Sequence, residues 1–229
     1  MKNRIGIVLG VLVLAGSAAA QPLQGVVGHP ETALVLTDPA KFAAGNYKID
    51  PTHTTVLGRV LHGKMSYYTF RFDKFDGSYT YDPAKPEATK VNVTIDPATI
   101  DSNLPMFDQR LAGPDFLDSG KYSSLKFVST EIKRSDVNHG TMTGNITLHG
   151  VTKPITFNVT LNGGGPVGRR IGMGFSATAS LEMADFGIDI GTNNIEDRVQ
   201  IIIETEFINQ NQQTDVQQVQ QLQAQPGNR

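Results

Sequence analysis

Five histidines, His29, His53, His62, His139 and His149, are the residues of this chain best suited to hold a metal or move a proton. None stands in an H-x-H or H-x-x-x-H spacing that would bring two imidazoles to one ion. His53 and His62 flank one alternating segment at odd separation, so they face opposite sides of a regular strand. A surface or hydrogen-bonded histidine is the simpler account of each. Glu204 and Glu206 share one strand face, and a solvated outer surface explains them better than a carboxylate pair for hydrolysis. The chain has no cysteine, which excludes thiol nucleophiles, thiolate metal sites and disulfides. It also lacks a G-x-S-x-G elbow. Gly163 to Gly168 reads GGGPVG, formally G-x-G-x-x-G. A strand pattern follows it, where a dinucleotide site needs the start of a helix, so the stretch reads as a flexible hairpin loop. Asp185-Phe186-Gly187 spells the kinase magnesium tripeptide, with no H-R-D loop and too little chain for a kinase. Asn92, Asn145 and Asn158 each sit in N-x-T within strand patterns and read as sheet surface. No catalytic constellation, cofactor site or metal site emerges, and the chain reads as a non-enzyme.

The elements that would position any site are strands. The stretch Met142 to Leu161 organises them. Met142, Gly144, Ile146 and Leu148 alternate on one face of a strand, and Ile155, Phe157, Val159 and Leu161 on one face of the next. Gly150 and Pro154 are expected to bracket the reversal between them. Thr54 to His62 alternates as well. Tyr68, Phe70 and Phe72 share a face, and after Asp73 the phase slips by one residue to Phe75, Gly77, Tyr79 and Tyr81. One extra residue is what a β-bulge adds, and bulges bend strands where barrels curve. Val91 to Ile95, Leu125 to Ile132, Met173 to Met183 and Val199 to Phe207 supply further strands. Thr99 to Gly120 interrupts them with one or two short helices, Pro105 lying in a first turn behind Ser102 or Asn103 as cap. About eight antiparallel strands at short spacing predict an all-β barrel or sandwich with a helical insert.

Composition narrows the function. The net charge is -2, and the chain lacks the basic excess expected of a nucleic-acid surface. Residues 1–20 carry Lys2 and Arg4, an apolar run from Ile5 to Leu14 and Ala18-Ala19-Ala20, the pattern of a cleaved secretory signal. The run is short for a bilayer span, and no other stretch is long enough, so the mature protein is expected to be exported with no stable membrane span. Residues 21–45 read as a linker or loosely packed arm, with a turn of helix near Pro39. Residues 46–208 form the β-domain, and the Gln-rich residues 209–229 read as a disordered tail. The inward faces mix Val, Ile, Phe and Met with small residues, as in Val56-Gly58-Val60, Phe175-Ala177-Ala179 and Gly144-Ile146. Small inward residues leave room for an apolar pocket. The same faces packed on one another would make a dry core, and the pattern alone leaves both readings open.

In this order the chain resembles the YceI-like family of exported bacterial proteins. The resemblance rests on Tyr47 to Thr54 (YKIDPTHT), His62, Phe72 to Pro83 (FDKFDGSYTYDP), Asp115 to Asp118, Tyr122 to Thr130 (YSSLKFVST), Thr143 to Ile155 (TGNITLHGVTKPI) and Asp185-Phe186-Gly187. It implies an eight-stranded lipocalin-like barrel whose interior takes a long-chain isoprenoid lipid, as polyprenyl phosphate or isoprenoid quinone, in the periplasm, with links to stress responses. It favours the pocket over the dry core. Val56, Val60, Phe70, Phe72, Ile146, Phe157, Phe175, Ala177 and Ile203 are then the expected lining, with His62 and Asp108 near a polar mouth. The sequence departs from the family where Glu182-Met183-Ala184 replaces an arginine before the D-F-G tripeptide, and where Phe107-Asp108 replaces Arg-Asp. Arg110, Arg169 and Arg170 are candidate substitutes. Two rival expectations remain: an enzyme or accessory factor acting on isoprenoid or quinone substrates, and a structural module, dimeric through an exposed strand edge.

Overall fold

A computed structural model of the chain describes residues 36–167, 170–189 and 195–211. The expected signal segment, the first part of the arm and most of the Gln-rich tail lie outside the described residues. The described chain is a meander of antiparallel strands closed on itself. Its first three long strands are each broken in two. β1 (Gly45–Ile49) and β2 (Thr55–His62) follow one another along a single edge of the last strand, β11 (Ile195–Asn209). Tyr47 faces Asn209 and Ile49 faces Phe207, and after the break Thr55 faces Glu204 and His62 faces Ile195. β3 (Ser66–Phe72) pairs with β2, and β4 (Phe75–Tyr81) pairs with β1. β5 (Lys90–Ile95) pairs with β4, and the short β6 (Ile100–Asp101) with β3. β7 (Leu125–Arg134), β8 (His139–Leu148), β9 (Val151–Val167) and β10 (Arg170–Glu182) then lead round to β11. Counted as three broken and five unbroken strands, this is the expected eight-stranded barrel.

Local chemistry explains the breaks. At the phase slip after Phe72, the backbone N–H of Asp73 donates to the Thr99 carbonyl and that of Lys74 to the Thr99 hydroxyl. Thr99 closes a 3-10 turn, Pro97–Thr99, whose N-cap Asp96 accepts from the Ala98 N–H. The kinks in neighbouring strands therefore lock together. At the first break Asp50 accepts from the Thr52 N–H and hydroxyl, and its other oxygen lies 2.9 Å from His53 Nδ1. Such kinks add the bend that closing a sheet requires.

Two turn expectations are corrected. The β8–β9 reversal is a tight two-residue turn, His149-Gly150, with φ of 50° and 76° and Leu148 facing Val151. Positive φ at both central positions matches the twist of the flanking strands. Pro154 lies inside β9 opposite Asn145 and brackets nothing. Nor is Gly163 to Pro166 a flexible loop: β9 continues through it, with Gly163 opposite Gly174 and Pro166 opposite Ile171. The glycines allow close approach. A Cβ on Gly164 would lie 2.5 Å from the Gly172 carbonyl oxygen and 2.6 Å from the Phe42 ring, where Leu36 pairs with Gly164.

The helical insert is α1 (Pro105–Ala112), with Pro105 in its first turn and Gly113 as C-cap. Its N-cap is Leu104, not Ser102 or Asn103. The barrel end that carries α1 is plugged by Ile100, Leu117, Leu125, Leu148, Phe186 and Ile188. The Asp185-Phe186-Gly187 tripeptide serves here: Phe186 is buried in the plug, Gly187 takes the left-handed conformation, and the Phe186 carbonyl accepts from His149 Nδ1. That bond fixes the proton on Nδ1 of His149. The far end is closed by Leu36 and Phe42 of the arm, packed with Tyr47, Tyr79, Tyr81, Met173 and Phe207.

The first break carries a titratable pair. Asp50 is held at about 2, below its usual 3.8, chiefly by the hydrogen bonds with His53 and Thr52. His53 is raised above its usual 6.5, first by the bond to Asp50 and then by the charge of Glu206. The Asp50 contribution is complete above its unfolded value and is lost as pH falls toward 2. The His53 contribution is complete below its unfolded value and is lost as pH rises through the raised folded one. Melting temperature against pH should form a plateau between roughly pH 4 and 6.5. Asp50→Asn should flatten both shoulders; unchanged shoulders in that variant would show that the pair is not linked to stability.

Candidate functional site

Inside the barrel, alternation sends every second residue of each strand to the axis. The small inward residues do not all leave room. A Cβ on Gly58 would lie 2.3 Å from the ring of Phe70, its partner across β2–β3. One on Gly144 would lie 2.5 Å from the Phe127 ring. Each glycine thus lies under an aromatic ring from the adjacent strand, a pairing that shields the bare backbone. The space that remains lies farther along the axis.

Two adjoining cavities occupy the described interior. The larger, about 500 Å³, is lined by side chains of β2, β3 and β5 to β11 and by Phe107, Leu111, Phe116 and Leu117 of the insert. The smaller, about 220 Å³, lies toward the arm and is lined by Tyr79, Val91, Val159, Met173, Phe175 and Phe207 among others. Val56, Val93, Ile95, Met142 and Ile203 border both. On β11, Ile195, Val199, Ile201 and Ile203 line the larger cavity, and Ile203, Thr205 and Phe207 the smaller. That is roughly 40 Å of strand at about 3.3 Å per residue. The larger volume falls within the range of small-molecule sites, about 300–1,000 Å³, and the smaller lies below it.

The expected lining residues divide between the chambers. Val56, Val60, His62, Phe70, Phe72, Ile146, Phe157 and Ile203 line the larger. Phe175 and Ala177 line only the smaller. Asp108 lines neither. Its carboxylate faces the preceding segment, accepting from the Ser102 N–H at 2.7 Å and from the Ser102 hydroxyl. Ser102 is held again through its carbonyl by the Tyr68 hydroxyl, 3.1 Å, and the Tyr68 ring meets Phe107 edge-on at 5.5 Å. Asp108 therefore anchors α1 over the larger cavity and does not mark its mouth. Of the candidate arginines, Arg110 lines the larger cavity with its guanidinium 5.4 Å from the Phe116 ring centre. Arg170 is exposed at the start of β10, at the opposite end, and Arg169 lies outside the described residues. Leu111 and Phe107 carry a helical spacing in the sequence, but which wall they cover depends on how the insert folds back.

A side-chain cluster outside the barrel also escaped the spacing rules. Asp50, His53 and Glu206 bring one ligand-type atom each to within 4.8 Å of one another, across the first break and β11. Local hydrogen bonding accounts for the Asp50–His53 part of it. Glu204 and Glu206 lie on the outward face, as expected.

A family model described as YceI-like domain matches residues 47–207. A UPF0312 protein of Pseudomonas putida strain W619 is 44% identical over 150 residues, covering 63% of this chain and 77% of its own length. A UPF0312 protein of Vibrio cholerae is 39% identical over 163 residues, covering 69% and 85%. Among solved structures, Burkholderia cenocepacia BcnA superposes with a TM-score of 0.62 at 25% identity, over 69% of this chain and 98% of that one. A polyisoprenoid binding domain from Saccharophagus degradans, at 16% identity and a TM-score of 0.53, covers 71% and 98% and shares the fold.

Because Asp108 holds the insert from outside the cavities, Asp108→Ala should loosen α1, and with it the wall that Phe107 and Leu111 form, while removing no group that lines a cavity. Hydrogen exchange should quicken at Ser102 to Phe107, with a global loss of about 1–2 kcal/mol. Asp108→Asn, which keeps an oxygen acceptor for Ser102, should retain the apolar-ligand stoichiometry; its loss in that variant too would place the carboxylate in the binding site.

Proposed function

This chain belongs to the YceI-like family, and we propose that it is an exported periplasmic carrier or sequestering protein for a long-chain isoprenoid lipid held inside the barrel. One observation carries the reading: two adjoining apolar chambers run along the barrel interior and share five wall residues. A long, flexible chain of methylene groups with only small methyl branches suits such a shape. Burial gains about 0.8 kcal/mol per CH2, which lets a long tail bind without strong polar contacts once chain ordering is offset. The fold shared with a polyisoprenoid binding domain supports the same ligand class. The positively charged start and apolar run of residues 1–20 support export. No helix among the described residues is long and apolar enough to cross a membrane.

The polar side chains at the larger cavity favour a carrier over an enzyme. Tyr68 donates to a backbone carbonyl, and Arg110 lies against Phe116. His62 is exposed at the end of β2. Acid–base or nucleophilic catalysis demands free groups aimed at a reacting atom, and Tyr68 and Arg110 are each already engaged with the protein.

The test is native mass spectrometry of mature protein purified from its own periplasm, followed by organic extraction. A bound species with a repeating isoprene mass is the expected result. Val60→Trp, which fills the middle of the larger cavity, should cut the bound fraction several-fold while circular dichroism stays that of a folded β-protein. Protein that carries no lipid and binds no polyprenyl chain in titration would overturn the reading.

A further inference from the structure

Large apolar side chains stand exposed beside the opening of the larger cavity. The β2–β3 turn, Gly63-Lys64-Met65, joins His62 to Ser66, which face one another. Its Met65 is 80% exposed. From β6, antiparallel to the end of β3, the chain runs back along β3 toward that turn and enters α1. Tyr68 holds it there through the Ser102 carbonyl and the Phe107 ring. At the start of α1, Leu104 is 54% and Met106 83% exposed. Single exposed apolar residues are ordinary, but several gathered beside a cavity mark an interaction site. Met65 and Met106 line neither cavity. Leu104 lines the larger one while exposed, and so do His62 and Arg110, so the cavity reaches the surface here. The exposed apolar surface is therefore continuous with the cavity wall. Leu61 to Phe70 and Ser102 to Phe107 contain no aspartate or glutamate. The next carboxylate, Asp108, is turned to Ser102. Lys64 and Arg110 are both exposed, Lys64 next to Met65 in the turn. Glu196, also exposed, follows the Ile195 that pairs with His62, so the surround carries both signs of charge.

We propose that Met65, Leu104 and Met106 form a tip that enters the interfacial region of a lipid bilayer and sets the opening of the larger cavity against it. The ligand chain then passes between membrane and barrel without its apolar length crossing water. This rests on the lipid-cavity reading and adds the partner that supplies or receives the ligand. Size argues for a bilayer. Three side chains fall well short of the roughly 1,000 Å² that a stable protein interface needs, whereas reversible seating on a membrane scales with the apolar area inserted. Shape argues the same way. Methionine is unbranched and flexible, which suits a fluid surface with no fixed contour. No carboxylate of the two tip segments has to leave water as they enter, and Lys64 and Arg110 can lay their stems along the apolar residues with their charges at head-group level. A protein partner seated here would instead seal the opening.

The chain has no tryptophan, so one placed at the tip reports alone. The probe is vesicles of phosphatidylethanolamine and phosphatidylglycerol carrying a polyprenol. Emission of Met106→Trp should move to shorter wavelength when vesicles are added. Emission of Val128→Trp, on the outer wall of β7 and 49% exposed, should not. Met65→Ser/Met106→Ser should lower co-flotation of the mature protein with vesicles about tenfold, and the rate of polyprenol transfer from vesicle to protein with it. Both positions are exposed and off both linings, so polyprenol delivered from detergent micelles should bind the double variant as it binds wild type. No shift in Met106→Trp, an equal shift in Val128→Trp, or vesicle binding abolished by about 0.5 M salt, as screened charge would be, overturns the tip. So does a wild-type dimer that the double variant dissolves, which would give the patch to a second copy. Uptake from micelles with no response to vesicles defeats the tip alone. A tip that enters vesicles while no polyprenol enters the protein defeats the lipid-cavity reading beneath it.

Discussion

Everything in this molecule depends on closing a sheet with strands too long to curve smoothly. An open edge would leave a row of unpaired backbone groups ready to join another chain. The barrel removes that edge by giving β11 three neighbours: β10 along one side, and β2 followed by β1 along the other. The change of neighbour on the second side requires the first strand to break between Ile49 and Thr55. The next two strands must then break in step, between Phe72 and Phe75 and between Ile95 and Ile100. Asp50, Thr99 and Asp96 supply the hydrogen bonds that occupy the backbone and side-chain groups at those three places. Closure is thus a coordinated bend across three strands.

The interior follows from the same geometry. A small barrel ordinarily fills itself with side chains, and room for a ligand appears only where inward residues are small or the ends are sealed at a distance. Here Gly58 and Gly144 are covered by Phe70 and Phe127, which consumes the space that small inward residues would otherwise leave. The room instead comes from the separation of the end closures. A plug around Phe186 and Ile188 seals one end, and Leu36, Phe42 and the tyrosines seal the other. Between them lie the two chambers, which meet at Val56, Val93, Ile95, Met142 and Ile203.

Much of this was legible in the residues. Strict alternation marked the strands, and the one-residue slip after Asp73 marked a real break, because period-two patterning is read directly from which face is buried. The same alternation explains why Val56, Val60, Phe70, Phe72, Ile146 and Ile203 point to the larger cavity. The misses share a cause too. Pro154 and the Gly163 to Pro166 run look like punctuation, yet both lie in a strand, because tertiary neighbours there require the bare backbone of Gly164 or leave the Pro154 position without need of a donor. Asp108 looked like a polar mouth because its partner, Ser102, becomes visible only when the insert folds.

The place of β11 in the topology also governs how the chain can come into being. It is the last strand made, and it is the one that pairs with the first. Until residues 195–209 are available, the earlier strands form a curved sheet with two free margins and an apolar concave face. Local hairpins such as β8–β9 can assemble early, but the closing contacts join the most distant parts of the sequence and carry the largest loop entropy. Pairing of β11 is thus what covers both margins and completes the wall of the interior. A chain released before that strand is complete is the form most exposed to aggregation and proteolysis.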